Sequence, residues 1–270
     1  FGIGFVAGPA LGGLLAEISF RMPFYAAGAL AVANFIYGLA ALPETLDREH
    51  RRPFDWRRAN PVGALFYVRK LPGILPTSIV YFLWQLASLV YPLTWAYFTI
   101  GRYGWSNGLV GLSLALLGAT MAITQIFLLS RIVARFGERM TATIGLVGGA
   151  LCLLAFAFIS SGWLAFATMP LIAIQSLVHP CLTAMMSRRA DVTNQGEVQG
   201  FASSVMAVGS IFAPLLFNPA LAWFTGPAAP VHFYGIAFVI SAAIAALALI
   251  VLLSLARAPT PDPAHLHRLP

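Results

Sequence analysis

Five strongly polar side chains stand inside otherwise apolar stretches of this chain: Gln85, Gln125, Gln175, His179 and Asn218. Four offer amides, which donate and accept hydrogen bonds at once. The fifth, His179, offers an imidazole able to take up or release a proton near neutral pH. Gln175 and His179 are four apart, so a helix places them on one face, and Pro180 perturbs the helix beside them. A polar group in apolar surroundings is costly and needs a reason. Handling a ligand or a proton is one reason, and hydrogen bonding between helices is another.

No catalytic constellation accompanies these groups. The five histidines, His50, His179, His232, His265 and His267, are scattered, and no carboxylate lies inside an apolar stretch. An intramembrane hydrolase or metal enzyme would need a carboxylate pair, a His/Glu ligand set or a nucleophile with its base. An enzyme, a metal site and a cofactor are therefore not expected. Cys152 and Cys181 lie in apolar runs and read as small hydrophobes.

The elements that must carry the polar groups follow from composition. Hydrophobic residues make up 59% of the chain and charged ones 9%, against about a quarter charged in soluble domains. A soluble protein could not cover its surface with so few charges. Apolar stretches at 1–16, 23–42, 73–100, 107–130, 140–161, 163–186, 199–223 and 232–256 are long enough, or nearly so, to cross a bilayer, which takes about 20 residues each. The chain is therefore expected to be an all-α polytopic membrane protein.

The sixteen bases also have a pattern. Fourteen fall on one set of connectors, at 43–72, 131–139, 187–198 and the tail, and only Arg21 and Arg102 fall on the other. By the positive-inside rule the tail and the long connector are cytoplasmic and the first stretch runs outward. The net charge of +7 thus faces lipid and cytoplasm, and no basic soluble domain for nucleic acid exists. Connector 43–72 is the one evident linker. After Asn60-Pro61, an N-cap with Pro at the first helical position, Val62, Leu65 and Phe66 with Arg69 and Lys70 read as a short amphipathic helix on the membrane surface.

Glycines at 4, 8 and 12 share one helix face in the first stretch, and Pro9 kinks it. Gly4-Phe5-Val6-Ala7-Gly8-Pro9-Ala10-Leu11-Gly12-Gly13 resembles the antiporter motif in the fifth helix of drug–proton antiporters of the major facilitator superfamily. Ser130-Arg131-Ile132-Val133-Ala134-Arg135-Phe136-Gly137-Glu138-Arg139 is similar to the second copy of that family's cytoplasmic loop motif, with departures at Ser130, Ala134 and Glu138. Met186-Ser187-Arg188-Arg189, Gln195-Gly196-Glu197-Val198-Gln199-Gly200, Ala213-Pro214-Leu215-Leu216-Phe217, Leu42-Pro43-Glu44 and Trp56-Arg57-Arg58-Ala59-Asn60-Pro61-Val62-Gly63 look like the tetracycline-resistance branch.

The resemblance implies a partial major facilitator fold. Residues 1–42 would be the last two helices of an N-terminal bundle, 43–72 the central loop, 73–256 a six-helix C-terminal bundle and 257–270 a cytoplasmic tail. A chain starting at Phe1 in a helix is then expected to be a fragment lacking about four helices. It implies proton-coupled efflux of an amphipathic small molecule across the cell's inner membrane, by a protein that is monomeric at full length. Gly4, Gly8, Pro9, Gly12 and Gly13 would form the antiporter motif, and Arg135, Gly137 and Arg139 the loop motif. Trp84, Gln85, Tyr91, Gln125, Gln175 and His179 would line the substrate cavity, the aromatics suiting a flat hydrophobic drug.

Tetracycline pumps also carry a histidine in their eighth helix and an aspartate in their ninth. The corresponding regions, around Met121 and within 140–161, have neither. The main coupling acid is therefore expected upstream of this sequence, with His179 the one titratable group in a span interior. An uptake or sugar-type facilitator on the same fold is the alternative, disfavoured by the glycine-proline motif.

Overall fold

A computed structural model describes residues 21–42, 74–188, 195–227 and 229–255, with Gly4, Gly8, Leu11, Gly12, Leu15, Ile18 and Ser19 from the chain's start. The described residues are helical with short turns and contain no strand. Helix α1 (Met22–Ala41) has Pro near its start and ends where the Leu42 N–H donates to the Gly38 carbonyl. The expected central loop and tail lie outside the described residues, as does most of stretch 1–16.

The remaining helices form one bundle. A span of 30 residues, Ile74–Tyr103, is divided at Leu89 into α2 (Ile74–Ser88) and α3 (Val90–Tyr103). Pro92 explains the break, because it has no N–H for the Ser88 carbonyl and its ring crowds that carbonyl. Gly104, at φ 64°, ends α3 in the left-handed conformation that suits glycine. Ser106 then caps α4 (Asn107–Ile123) by accepting from the Leu109 N–H.

A π-helical turn (Thr124–Leu128) follows, in which the Leu129 N–H reaches five residues back to Thr124. Helix α5 (Leu129–Phe158) comes next. Together Gly108–Phe158 is a continuous helical stretch of 51 residues. Drawn straight it would run about 77 Å, more than twice a hydrocarbon core of about 30 Å. It does not run straight. Gly137 has φ 75° and ψ 165°, a backbone state open essentially to glycine alone.

Ring contacts show that the chain reverses there. Trp95 lies 6.2 Å from Trp105 and 5.3 Å from Phe156, so both ends of the stretch meet at one end of the bundle. The sequence predicts a nine-residue connector at 131–139. The structure instead keeps Arg131–Phe136 helical and turns at a single glycine. Arg131 stays on the helix by donating to the Phe127 carbonyl at 3.0 Å.

The chain continues through α6 (Gly162–Ile172), a 3₁₀ segment (Ala173–Leu177), α7 (Val178–Ser187), α8 (Gln195–Thr225) and α9 (Ile236–Ser254). Six described helical stretches are long and apolar enough to cross a membrane. With the reversal at Gly137 they correspond to seven of the eight apolar stretches in the sequence. Helix α9 packs chiefly on α5 and α2, and Ser241 donates its hydroxyl to the Ala87 carbonyl.

The bundle's two ends differ. One gathers Trp95, Phe98, Tyr103, Trp105, Phe156, Phe166 and Phe238 into a continuous set of ring contacts, closed by the Tyr103 hydroxyl donating to Ile159. The other carries the turn at Gly137, the end of α9 and Arg188. Apolar flanks remain outward-facing along the bundle, as on Leu151, Phe158, Ile211, Leu215 and Ile250, which is the surface lipid covers.

Candidate functional site

The sequence-predicted cavity residues separate into a sealed group and a group of intermediate burial. Trp84, on α2, is 1% exposed and lies across Gly149 of α5. A Cβ at Gly149 would stand 2.6 Å from the Trp84 ring and 3.3 Å from the Gln175 Cβ, so only glycine lets all three segments meet. Gly145 and Gly148 do the same for Val178 and Ile174. Gln85, also buried, packs its Cγ 3.2 Å from where a Gly209 Cβ would be, which brings α8 against α2.

Gln175 sits in the 3₁₀ segment, for a reason that is local. Pro180 lacks the N–H that would bond to the Ser176 carbonyl and crowds that carbonyl. The turn before it tightens, and the Ser176 hydroxyl bonds to Ala173 at 2.6 Å. Gln175 and His179 are therefore not on one continuous α-helix. Gln175 points into the bundle, where Oε1 is buried with no hydrogen-bond partner. The Tyr91 hydroxyl is buried as well, facing Gln175 as its side-chain hydrogen-bonding neighbour, with Cys152 beside it.

His179 and Gln125 are only half-buried. The imidazole stands edge-on to the Tyr81 ring at 5.0 Å, and Thr183, one turn along α7, lies by the Tyr81 hydroxyl. Gln125 belongs to the π turn, which packs beside the 3₁₀ segment. Two interruptions of α-helix therefore lie side by side: the π turn and the 3₁₀ segment. Asn218 is exposed on α8. An open apolar groove of 420 Å³ runs between α2 and α8, lined by Phe82, Leu86, Phe212, Leu215 and Leu216.

The loop-motif residues frame the turn at Gly137. Arg139 donates to the Leu252 carbonyl at 2.7 Å, and Arg135 is exposed with its guanidinium 5.6 Å from the Phe136 ring centre. Glu138 pairs with Arg188 at 2.8 Å, joining the α4–α5 reversal to the end of α7. The motif comparison treats Glu138 as a departure, yet it makes the one described ion pair at this end. Its signal in the sequence is an isolated acid among three bases, Arg131, Arg135 and Arg139. Gly4, Gly8 and Gly12 are helical with open space at their Cβ positions, while Pro9 and Gly13 lie outside the described residues. Tyr81, Thr183 and the Trp95–Ser113 hydrogen bond at 2.9 Å had no motif to mark them.

No group of three or more His, Cys, Asp or Glu able to hold a metal occurs among the described residues. What the arrangement offers is an apolar bundle with a few amides, one imidazole and interrupted helices at their level.

Comparison with known proteins places this arrangement. The model of the Major Facilitator Superfamily matches residues 1–214 and 77–269. The class C tetracycline resistance protein of Escherichia coli is 36% identical over 238 residues, covering 84% of this chain and 60% of that protein. The class G protein of Vibrio anguillarum is 35% identical over 81% of this chain and 55% of its own length. The crystal structure of the human organic anion transporter MFSD10 (TETRAN) superposes with a TM-score of 0.74 at 23% identity, over 93% of this chain and 61% of that one. The chain thus spans a little over half the length of these proteins. The family match across most of its length makes this chain a member of the Major Facilitator Superfamily of membrane transporters.

Proposed function

We propose that this chain carries the C-terminal bundle of a proton-coupled exporter of amphipathic small molecules. The observation that carries the reading is the similarity to tetracycline resistance proteins across four-fifths of the chain, supported by the Gly4–Gly13 motif. Alternating access by rocking of two bundles about a midplane site is the mode available to such a fold. On this reading it lies in the inner membrane, with the Gly137–Arg188 end and the tail in the cytoplasm, an orientation that the distribution of bases supports. The full-length protein works as a monomer.

Within this reading the half-buried His179 and Gln125 present an imidazole and an amide to substrate. Trp84, Gln85, Tyr91 and Gln175 stand behind them and set the shape of that wall. His179 takes a proton as access alternates, alongside an acid contributed from outside this sequence. The substrate class this reading takes is amphipathic small molecules of the kind a tetracycline-type antiporter exports, with no one compound singled out.

Cells expressing the natural gene that encodes this sequence should accumulate less of at least one fluorescent amphipathic dye than cells without it. A protonophore should abolish the difference. Greater accumulation on expression would instead support the uptake reading.

A further inference from the structure

Arg131 and Arg135 stand four apart on the last turns before Gly137, and both are exposed. Like charges at that spacing repel each other across one helix face. Neither is in an ion pair among the described residues, and Glu138, the acid beside them in sequence, is taken up by Arg188 at 2.8 Å. Ser130 and Ala134, on the adjoining line of the helix, are small and exposed. The face therefore offers two uncompensated guanidiniums beside an open floor with one hydroxyl. Its neighbours are apolar: Phe127, one turn before Arg131, is 52% exposed, and Phe136 is 50% exposed.

Direction and depth agree with that pattern. Helical side chains lean toward the helix N-terminus, which here is toward the membrane interior. Arg131 does so, donating to the Phe127 carbonyl at 3.0 Å, and the other donors of its guanidinium fork stay free. The Arg135 guanidinium is braced 5.6 Å from the Phe136 ring centre. Counted from Asn107, where α4 begins, Arg131 lies about 36 Å along the helix and Arg135 about 42 Å. The hydrocarbon core is about 30 Å thick and the bilayer with its headgroups about 40–45 Å. Both guanidiniums thus fall in the headgroup layer at the Gly137 end.

We infer that Arg131 and Arg135, with the Ser130 hydroxyl, form a site for the phosphate of an anionic phospholipid of the phosphatidylglycerol type, whose acyl chains lie along Phe127 and the apolar flank beyond it. A phosphodiester carries one negative charge on two free oxygens, and guanidinium forks bind such oxygens in pairs. One phosphate between the two bases removes their repulsion and leaves the lipid tails in hydrocarbon. The inference needs only that α4 crosses the bilayer, so it stands whichever way substrate moves.

The test uses the complete natural protein, freed of native cysteines, with a bimane fluorophore on Phe127→Cys, in phosphatidylcholine vesicles. Phosphatidylglycerol or phosphatidylcholine bearing a nitroxide near its headgroup is included in both leaflets as a quencher. The phosphatidylglycerol probe should quench at a much lower mole fraction than the phosphatidylcholine probe. Arg131→Gln and Arg135→Gln should each lower that preference about fivefold, and the double variant should nearly abolish it. Arg188→Gln, which removes a base from the same end, should leave it largely unchanged. Equal quenching by the two probes in the parent, or a loss in Arg188→Gln as large as in Arg131→Gln, would mean diffuse attraction and overturn the inference. A label that neither probe quenches would overturn it too, as the result of another part of the full-length protein covering this face. Both arginines are exposed, so their substitution leaves the fold intact. Failure of the transport assay would not alter the quenching, so the two ideas fail separately.

Discussion

Arg139 donates from Nη2 to the carbonyl oxygen of Leu252 at 2.7 Å, tying the turn at Gly137 to the end of the last helix. Helix ends leave carbonyls without partners, and a guanidinium answers one of them with a charge-assisted bond. The bond spans most of the C-terminal bundle's sequence, so it holds the turn between the bundle's second and third spans to its last helix. Three features at this end are separately testable: the glycine, the ion pair and the side of the membrane on which they lie.

Gly137→Ala isolates backbone conformation from packing. A Cβ there meets nothing within 4 Å, yet φ is 75°. The variant should lose about 1–3 kcal/mol of stability, read as a lowered melting midpoint in detergent. Gly137→Asn should lose a similar amount, because ψ 165° lies outside the left-handed helical region that asparagine tolerates. Equal stability of Gly137→Ala and the parent would show that the chain does not turn at this residue.

Glu138 and Arg188 should behave as a pair and not as two independent charges. Arg188 is largely solvent-exposed, so the effect on stability should stay within about 1 kcal/mol. The readout is therefore rescue. Glu138→Arg and Arg188→Glu should each reduce transport, and the exchanged double variant should restore much of it. Additive losses would mean that the two residues act separately.

Gly149 should tolerate no side chain while Trp84 is intact. Gly149→Ala brings a methyl group into the Trp84 ring and should cost about 1–3 kcal/mol through overpacking. Trp84→Phe removes the part of the ring that is struck, so it should recover part of the loss in the double variant. Thermal denaturation of the four proteins gives the coupling.

Topology has its own check. Trp163 and Arg135 are both exposed and lie at opposite ends of the bundle. In a cysteine-free background, Trp163→Cys should react with an impermeant maleimide added to whole cells. Arg135→Cys should react only after permeabilisation. The reverse pattern would invert the orientation drawn from the distribution of bases.

The spans were legible from the chain because lipid leaves no alternative. Apolar runs of about 20 residues must be helices, and loops must hold the charges. The reversal was less legible. Arg131 and Arg135 read as connector residues, but a base at a helix end reaches water or a backbone carbonyl without ending the helix, and Gly137 alone makes the turn. Burial within a span was least legible. Helices apolar all round show no periodicity that separates core from lipid. Trp84 and Tyr91 therefore read as well for a cavity wall as for the sealed interior the structure gives them. Pro180 did announce a disturbance beside Gln175 and His179. It could not announce that the 3₁₀ turn would bury the first fully and the second only in part.

The central claim is coupling of outward drug movement to inward proton movement. Everted membrane vesicles carrying the full natural protein, energised to acidify their lumen, provide the direct measurement. Adding a transported amphipathic compound should release protons, seen as recovery of a quenched pH-sensitive dye. His179→Ala should reduce that recovery at equal protein content. No compound-dependent recovery across a broad panel of drugs, with the protein present and folded, would contradict the account.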